Sequence, residues 1–367
     1  MKCIVEQKNI IQPLQKISSL LIKNNPNEIL GNILIKITKL YILLISTNTE
    51  IEIIYKISNN YNCKPGKITV SGRKMLEIFR IISKKSLIYI KLINKKLYIT
   101  SKNSKFSLLT ISEKKFPYFK KIEYKKKIYI NQKILKNMLE YTYFSMSTQD
   151  IRSYLNGVFI EFKKKYIKSI ATNGHRMAIF KKKNKKKYLN KFSIILPRKT
   201  VIELNKILIN KKKKIKILYN KNNIQFHLKN IIFTSKLINS NFPDLKHILI
   251  KKKKYKIKIN TNLLKKSLFH VSILVHEQIK GIFLIFENKK CTIISHNQEE
   301  QAKYKFKTEY NYKKKIKISV NINYLLDILK ILKHDFIYFV LDKKIKYLQI
   351  EVPEKKELKY IILPLYL

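Results

Sequence analysis

The stretch ITVSGRKMLEI at residues 68–78 is an apolar strand pattern that runs directly into a helical one. The pattern occurs twice more, as IILPRKTVIEL at residues 194–204 and as ISVNINYLLDI at residues 318–328. The three copies therefore start 126 and 124 positions apart. Such regular spacing predicts that the chain consists of three copies of one unit.

Two other series keep the same spacing. Glycines open alternating apolar runs at Gly31, Gly157 and Gly281, and Phe-Pro pairs start at Phe116 and Phe242. The period exceeds the roughly 20–50 residues of a solenoid repeat and suits a domain of about 100–150 residues with its own core. We therefore predict three domains, with limits where lysine runs interrupt the apolar pattern. They are 1–124, 125–252 and 253–367.

Within each unit the apolar period changes from two to about 3.6 and back, and does so twice. This predicts a strand, a helix and several strands, followed by the same order again. The fold class is α+β, and each domain is itself double. One helix stripe consists of Ile10, Leu14, Ile17 and Leu21. The lysine runs 181–187 and 211–214 are expected in loops or hairpin tips, solvated by default.

Lysines lie on the polar faces of the predicted helices. For one helix, an ordinary solvated face is the simpler interpretation, but repetition in equivalent places favours a shared basic surface. The lysines are Lys16, Lys74, Lys136, Lys199, Lys206, Lys265, Lys266 and Lys330.

The composition is strongly basic. The chain has 367 residues, with 79 Lys and Arg against 23 Asp and Glu, which gives a net charge of +56. Such a charge indicates nucleic acid or an anionic membrane as partner. Lysine rises here together with Ile, Asn and Tyr, while Gly, Pro and Trp are scarce, so part of the charge can reflect A- and T-rich codons. We therefore draw conclusions from the sign of the charge and not from its size.

Cysteine usage and hydropathy indicate the cytoplasm. Cys3, Cys63 and Cys291 are odd in number and lack metal-ligand spacing, so neither a disulfide framework nor a zinc site is predicted. The N-terminus shows no targeting signal, and its longest nearby apolar run, residues 40–45, is far below the ~20 residues of a membrane span.

The sequence offers no recognisable catalytic motif. Gly66 and Gly72 do not have the spacing of a phosphate-binding loop, and His276-Glu277 lacks a second histidine because Lys280 stands at that position. No carboxylate pair suggests acid–base work or a two-metal cluster. We therefore expect a protein without catalytic residues, cofactor or metal.

Two polar clusters and the C-terminus require another explanation. The clusters are residues 145–157 and residues 171–177, and in the second an Asn173-Gly174 turn could place His175 and Arg176 at the rim of a pocket. A lone histidine of this kind is more often structural. Residues 360–367 end the chain without charge, as either a buried final strand or half of an apolar groove.

Several of these motifs together resemble the bacterial sliding clamp family, the beta subunit of DNA polymerase III. The resemblance runs from end to end, with the motifs in the family's order. They are residues 28–32, 144–157, 171–176, 196–199, 233–237, 242–244 and 363–365.

The resemblance implies three DNA-clamp domains per chain, each with two helices packed on antiparallel sheet. It implies a head-to-tail homodimer that forms a closed ring around double-stranded DNA, a processivity factor without catalytic activity. Its implied partners are the DNA polymerase III alpha subunit, the clamp loader with its delta and gamma/tau subunits, and other clamp-binding polymerases and repair proteins. Duplex DNA carries about one negative charge per 1.7 Å of its axis, so basic helices can hold it without reading bases.

The resemblance also implies DNA-contacting residues. Arg73, Gln149 and Tyr154 match family contacts, while Ser153 replaces an aromatic residue and Asn24 replaces an arginine. Lys23, beside Asn24, could substitute for that arginine. Lys74, Arg198 and Lys199 complete the set.

A hydrophobic cleft that binds partner peptides is implied by the same resemblance, and it would account for the apolar C-terminus. His247, Tyr347 and Tyr366 depart from the family pattern. The implied cleft residues are Leu155, Thr172, Gly174, His175, Arg176, Met177, Pro243, His247, Ile248, Asn321, Tyr324, Ile345, Tyr347, Ile361, Ile362, Leu363, Pro364, Leu365, Tyr366 and Leu367.

The dimer interface implied by the resemblance joins Ile78, Ile82 and Phe106 of one chain to Ile273 and Leu274 of the other. Plain core packing is the alternative for Ile78 and Phe106. Two other functions stay open from the residues alone. A basic nucleic-acid-binding protein of repeated domains would not explain the apolar C-terminus, and a nuclease or transferase would need a carboxylate cluster.

Overall fold

The computed structural model describes residues 1–21, 28–58, 61, 63–119, 122–183, 191–245, 248–250, 252–297 and 300–366. Within these residues the predicted order of elements occurs three times, as a strand, a helix, four strands, a helix and three strands. None of the described helices is long and apolar enough to cross a membrane.

The first copy of the pattern begins near the N-terminus. Its elements are β1 (Lys2–Glu6), α1 (Gln7–Ile17), β2 (Asn32–Ile37), β3 (Tyr41–Thr47), β4 (Ile51–Ser58), β5 (Gly66–Ser71), α2 (Gly72–Ile81), β6 (Leu87–Ile93), β7 (Lys96–Ser101) and β8 (Ser104–Ile111).

The second copy has the same order. Its elements are β9 (Lys126–Asn131), α3 (Gln132–Glu140), β10 (Gly157–Lys163), β11 (Tyr166–Thr172), β12 (Arg176–Lys183), β13 (Phe192–Pro197), α4 (Arg198–Ile207), β14 (Lys214–Tyr219), β15 (Asn223–His227) and β16 (Ile231–Lys236).

The third copy extends to the C-terminus. Its elements are β17 (Tyr255–Asn260), α5 (Thr261–Val271), β18 (Gly281–Glu287), β19 (Lys290–His296), β20 (Gln301–Lys307), β21 (Ile316–Asn321), α6 (Ile322–Ile331), β22 (Phe336–Leu341), β23 (Leu348–Glu351) and β24 (Leu358–Ile362).

The strands pair antiparallel throughout the described registers and form three sheets, which confirms an α+β fold. One sheet has the order β1-β6-β7-β8-β5-β2-β3-β4-β16-β15-β14-β9. The second has the order β13-β10-β11-β12-β24-β23-β22-β17, and the third the order β20-β19-β18-β21. Two of these sheets cross from one copy of the pattern to the next, because β4 pairs with β16 and β12 pairs with β24.

The chain divides into two compact units that cut through the middle copy. The first contains Met1–Lys136 and Ile202–Asn239, and the second contains Asn137–Val201 and Ser240–Leu367. The predicted domain limits 1–124, 125–252 and 253–367 therefore stay predictions, since the units follow the sheets rather than the sequence repeat.

Helix α1 illustrates how the apolar stripes form the core. Its residues Ile10, Leu14 and Ile17 are fully buried, and the helix packs against α2. The predicted fourth stripe residue, Leu21, is wrong by one position, and Leu20 is the buried leucine. The reason is that α1 ends at Ile17 and continues as a 3-10 turn, which has three residues per turn and so shifts the buried side chain.

The strand-to-helix junction in the opening motif depends on Gly72. A Cβ at this position would lie 2.4 Å from Leu21 Cδ1 and 2.8 Å from Ile33 Cγ2, so any side chain here would force these two residues to move. Just before it, Ser71 Oγ accepts a hydrogen bond from the Lys74 backbone N–H, which caps α2. Helices α5 and α6 are capped in the same way by the side chains of Asn260 and Asn321.

Both lysine runs differ in part from the prediction, and in the run 211–214 it is Lys214 that belongs to a strand, as the first residue of β14. Residues 181–183 of the run 181–187 belong to β12 rather than to a loop, and the rest of the run lies outside the described residues. Lys181 and Lys183 therefore lie on the same face of β12 as Met177, because alternate residues of a strand share a face.

Candidate functional site

The polar cluster 171–177 forms a tight turn between β11 and β12. Asn173 Oδ1 accepts hydrogen bonds from the backbone N–H groups of His175 and Arg176, at 3.1 and 3.0 Å. Thr172 Oγ1 accepts one from the Gly174 N–H at 3.1 Å and donates one to the Arg176 carbonyl at 2.7 Å. Gly174 has φ of +91°, a conformation that favours glycine. The turn leaves His175 exposed.

The Arg176 side chain points into the protein instead of forming a pocket rim. Only 11% of it is exposed, and Nη1 donates to Asp327 Oδ2 at 2.7 Å. Nη2 donates to the Phe144 carbonyl, and the guanidinium lies 4.6 Å from the Tyr324 ring centre and 5.4 Å from that of Phe144. Arg176 thus connects the turn to α6, and Asp327 and Phe144 are site residues that sequence reasoning missed.

The C-terminal segment lies alongside this turn. Strand β24 pairs with β12, and beyond its end the Leu363 N–H donates to the His175 carbonyl at 2.8 Å. The Leu365 N–H then donates to the Ser319 carbonyl at 2.9 Å. Ile361 and Ile362 are buried, Leu363 to Leu365 are half-buried, and Tyr366 is fully exposed. The interpretation as a buried final strand is therefore correct up to Ile362, and the accessible apolar edge beyond it as half of a groove stays a prediction.

An apolar cluster lies under the same strands. Met177 and Ile361 pack with Ile170 and Ile179, and the half-buried Tyr347 and Ile248 pack against them. Buried Met177 gives a polarizable, adaptable surface of the kind that peptide-binding sites use. The structure thus brings Met177, Ile248, Tyr347 and Ile361 together in one cluster.

The other predicted cleft residues have varied surroundings. Leu155 and Thr172 are buried and Pro243 is exposed. Asn321 caps α6 through a hydrogen bond from the Asn323 N–H at 2.9 Å. Ile345 is half-buried with φ of +53°, a strained conformation for a β-branched residue. His247 and Leu367 lie outside the described residues.

The predicted DNA-binding residues differ in how free their side chains are. Arg73 and Lys74 are exposed in the first turn of α2, where Arg73 Nε donates to Glu77 at 3.0 Å. Lys199 is exposed at the start of α4, whereas Arg198 is half-buried and donates to the Met146 and Ser147 carbonyls at 3.4 and 3.5 Å.

Three further candidates lie in the loop before β10. Gln149 and Ser153 are exposed, and the ring of Tyr154 meets that of Phe242 edge to face at 5.9 Å. The neighbouring Arg152 is held by Asp150, with Nε and Oδ1 3.0 Å apart. The last two predicted residues, Lys23 and Asn24, lie outside the described residues.

The predicted interface residues also differ from one another. Ile78 and Ile82 are buried within the chain, Phe106 and Leu274 are half-buried, and Ile273 is 80% exposed. Each chain also has apolar side chains that sequence reasoning missed near these positions. They are Ile81, Leu109 and Phe269, all exposed.

The fold and the site together define the class of the protein. It is an α+β binding protein with three copies of one structural pattern and an accessible apolar segment after its last strand. The three domains of the DNA polymerase III beta subunit family each match one part of the chain. Its N-terminal domain matches residues 1–120, its central domain residues 129–244 and its C-terminal domain residues 246–366.

Curated relatives and solved structures agree. The chain is 41% identical over 363 residues to the beta sliding clamp of Buchnera aphidicola subsp. Rhopalosiphum padi, covering 99% of each chain. It is 30% identical to that of Escherichia coli K12 over the full length of both. The DNA polymerase III subunit beta of Pseudomonas aeruginosa matches over 100% of both chains at 26% identity, with a TM-score of 0.94, and a sliding clamp of that organism bound to griselimycin gives 0.95.

The chain therefore belongs to the DNA polymerase III beta subunit family, the beta sliding clamps. It has three beta-clamp domains and acts as a non-catalytic processivity subunit of DNA polymerase III. The family and the function expected from the resemblance are confirmed.

Proposed function

We propose that two copies of this chain close head to tail into a ring around duplex DNA in the cytoplasm. On each copy, a clamp loader with delta and gamma/tau subunits, the polymerase III alpha subunit and other clamp-binding proteins would use the cleft between the 172–176 turn and the C-terminal edge. Three features of the chain support this proposal: two open strand edges, basic helix faces and the exposed end of the chain.

The strand edges support the dimer. Strand β20 is the last strand of its sheet and pairs only with β19 among the described strands. Strand β8 pairs with β5 at only Thr69 and Val70, which leaves the N-terminal part of its edge open. Open edges pair readily with another chain, so β8 of one copy and β20 of the other can extend one sheet across the interface.

Exposed apolar side chains accompany both edges. Ile81 and Leu109 belong to the first unit, where they are 73% and 79% exposed, and Ile273 and Phe269 belong to the helical region that packs against β20. Burying such side chains on association is favourable by roughly 25 cal/mol per Å² of apolar area. A head-to-tail contact made twice closes a ring, because each copy supplies one edge of each kind.

The basic helix faces support sliding. Exposed Arg73, Lys74 and Lys199 lie in the first turns of α2 and α4, where the side chains can reach phosphates without touching bases. Contacts of this kind hold DNA by charge and do not fix a register along the sequence. Such binding permits movement along the duplex.

The observation that carries the cleft assignment is the pair of backbone hydrogen bonds that fix Leu363 and Leu365 beside His175 and Ser319. They hold three half-buried apolar residues just beyond the end of β24, the strand that pairs with Met177 through Ile361. A peptide that inserts an aliphatic or aromatic anchor would find an apolar wall on both sides.

Retention on closed DNA tests the ring. The protein is loaded by its clamp loader onto a nicked plasmid, and half of the sample is then cut once. We expect the protein to stay on the circle and to be lost from the linear form, with a mass of two chains in solution at modest salt. Equal retention on both forms would show a basic protein that binds DNA without encircling it.

A further inference from the structure

A groove of about 1290 Å³ runs along the face of β10, β11, β12 and β24 that carries Met177. The strand registers arrange this face in rows. The first row is Thr172, Met177 and Ile361, which belong to the predicted cleft. The groove continues from this row along the strands, so it is an extension of the cleft and not a separate site.

The second row is apolar with one charge at its end. Across the strands β10, β11, β12 and β24 it consists of Phe159, Ile170, Ile179 and Lys359, each directly opposite the next. The Phe159 ring stacks on that of Phe242 with centres 4.4 Å apart. These side chains form a floor and one wall that could hold a single large apolar side chain.

The third and fourth rows are charged. Glu161, Lys168 and Lys181 share the third, and Lys163, Tyr166 and Lys183 the fourth. Glu161 already holds Lys163 and Lys168, at 2.8 and 3.2 Å, and Lys181 lies 4.3 Å from the Tyr166 ring centre.

The groove as a whole has an excess of positive charge. Eight lysines line it, against the carboxylates of Glu161, Asp244 and Glu357. The lysine-rich composition of the chain does not account for the order of the rows, which changes from uncharged to basic along the strands. Charge complementarity therefore favours an acidic occupant at the far end and an apolar one near the cleft.

We propose that this groove binds an extension of the partner peptide in the cleft, with one large apolar side chain followed by acidic residues. Same-face residues in neighbouring rows are about 7 Å apart, which equals two residues of an extended peptide. The apolar side chain therefore packs on Phe159, Ile170 and Ile179. A carboxylate two residues further along then faces Lys181, and one four residues further along faces Lys183.

The proposal rests on the proposed function of the cleft and is tested with three labelled peptides on the full-length protein. The first carries a Leu-Phe anchor, the second adds Phe-Asp-Glu-Asp-Glu and the third adds Phe-Asn-Gln-Asn-Gln. We expect fluorescence anisotropy to give about tenfold tighter binding for the acidic extension than for the anchor alone, since several partly exposed ion pairs act together with one buried ring.

Charge reversal locates the effect. Lys181→Glu with Lys183→Glu should remove the gain of the acidic extension and change the binding of the anchor peptide by less than about twofold. The matched control is Lys333→Glu, an exposed lysine after α6 that does not line the groove. It should leave both affinities unchanged.

Four outcomes would overturn the proposal. Three concern peptide affinity: the neutral extension gains as much as the acidic one, the control variant loses as much as the double variant, or the acidic extension gains nothing. The fourth is displacement of the acidic peptide by a single-stranded oligonucleotide, which would identify a nucleic-acid surface. If the anchor peptide itself does not bind, the cleft assignment fails instead. The groove is then tested with the acidic extension alone, titrated at higher concentration. Weaker binding to the double charge-reversal variant than to the unaltered protein would support the groove, and equal binding would overturn it.

Discussion

Arg176 and Asp327 form an ion pair of 2.7 Å that joins the turn after β11 to helix α6. The pair is largely shielded from water on the arginine side, and two aromatic rings lie against the guanidinium. Arg176→Ala should lower the free energy of unfolding of the second unit by about 2–4 kcal/mol, because it removes the pair, a carbonyl hydrogen bond and two cation–π contacts. Thermal unfolding followed by circular dichroism measures this loss.

The neighbouring Arg152 provides the control for that experiment. It also pairs with an aspartate, Asp150, at 3.0 Å, but its side chain is 55% exposed. Arg152→Ala should therefore leave the unfolding transition nearly unchanged. A similar loss of unfolding free energy in both variants would mean that the buried Arg176 pair stabilises the fold no more than the exposed Arg152 pair.

Removal of residues 363–367 should abolish the binding of polymerase-derived peptides. The truncation leaves β24 intact, since that strand ends at Ile362, but removes the apolar edge beside His175. Surface plasmon resonance measures peptide binding, and sedimentation measures whether the dimer persists. Undiminished peptide binding would contradict the assignment of the cleft.

Arg73→Ala combined with Lys74→Ala should weaken DNA binding equally for all sequences. Each lost phosphate contact lowers the slope of log affinity against log salt by up to about one unit. The control pair Lys84→Ala and Lys85→Ala removes exposed charge from the same unit without touching α2. A sequence-dependent loss, or an equal loss in the control, would refute a phosphate contact at α2.

Glu52 makes the first unit sensitive to pH. Its side chain is buried, and burial raises its pKa from 4.5 to about 7, although the Phe119 N–H donates to Oε2 at 3.0 Å and opposes the shift. A carboxyl with a raised pKa stabilises the fold below pH 4.5, and this contribution is lost as the pH rises through 7.

Glu52→Gln should therefore be more stable than the unaltered chain at pH 8 and nearly equal to it at pH 4.5. A rise from 4.5 to about 7 corresponds to roughly 3 kcal/mol, since one pKa unit is worth 1.36 kcal/mol. Unfolding by urea at several pH values between 4.5 and 8 measures the difference between the two proteins. A difference independent of pH would exclude Glu52 as the cause.

Ile345 should respond differently to substitution by asparagine and by valine. Its φ of +53° costs a β-branched residue roughly 1–2 kcal/mol, a cost that asparagine largely avoids. Ile345→Asn should raise the free energy of unfolding by about 1 kcal/mol, whereas Ile345→Val keeps the branched Cβ and should not. Thermal unfolding distinguishes them, and an equal effect of both changes would rule out backbone strain.

Local periodicity predicted much of the fold. The strand–helix junctions at residues 68–78, 194–204 and 318–328 are found as β5–α2, β13–α4 and β21–α6. Apolar spacing reports on which face of an element is buried, so the stripe of α1 was predictable apart from Leu21. The Asn173-Gly174 turn also followed from its residue types.

Long-range pairing could not be predicted in the same way. Nothing near Arg176 in the sequence indicates a partner 151 positions away on α6, and a turn arginine is equally consistent with an exposed role. The rows of the groove require the register of four strands from two copies of the pattern, which periodicity does not give. The φ of Ile345 likewise depends on surrounding structure that overrides residue preference.

The sheets that pass from one copy of the pattern to the next have a consequence for dissecting the gene. The sequence repeats about every 125 residues, but one repeat is not a separate structural unit. Strand β16 of the middle copy pairs with β4 of the first, and β12 pairs with β24 of the third. A fragment that contains only the middle repeat would expose the unpaired edges of β16 and β12, and exposed strand edges promote aggregation. Because each compact unit takes two separate stretches of the chain, no single cut in the gene yields a fragment that keeps its sheet complete.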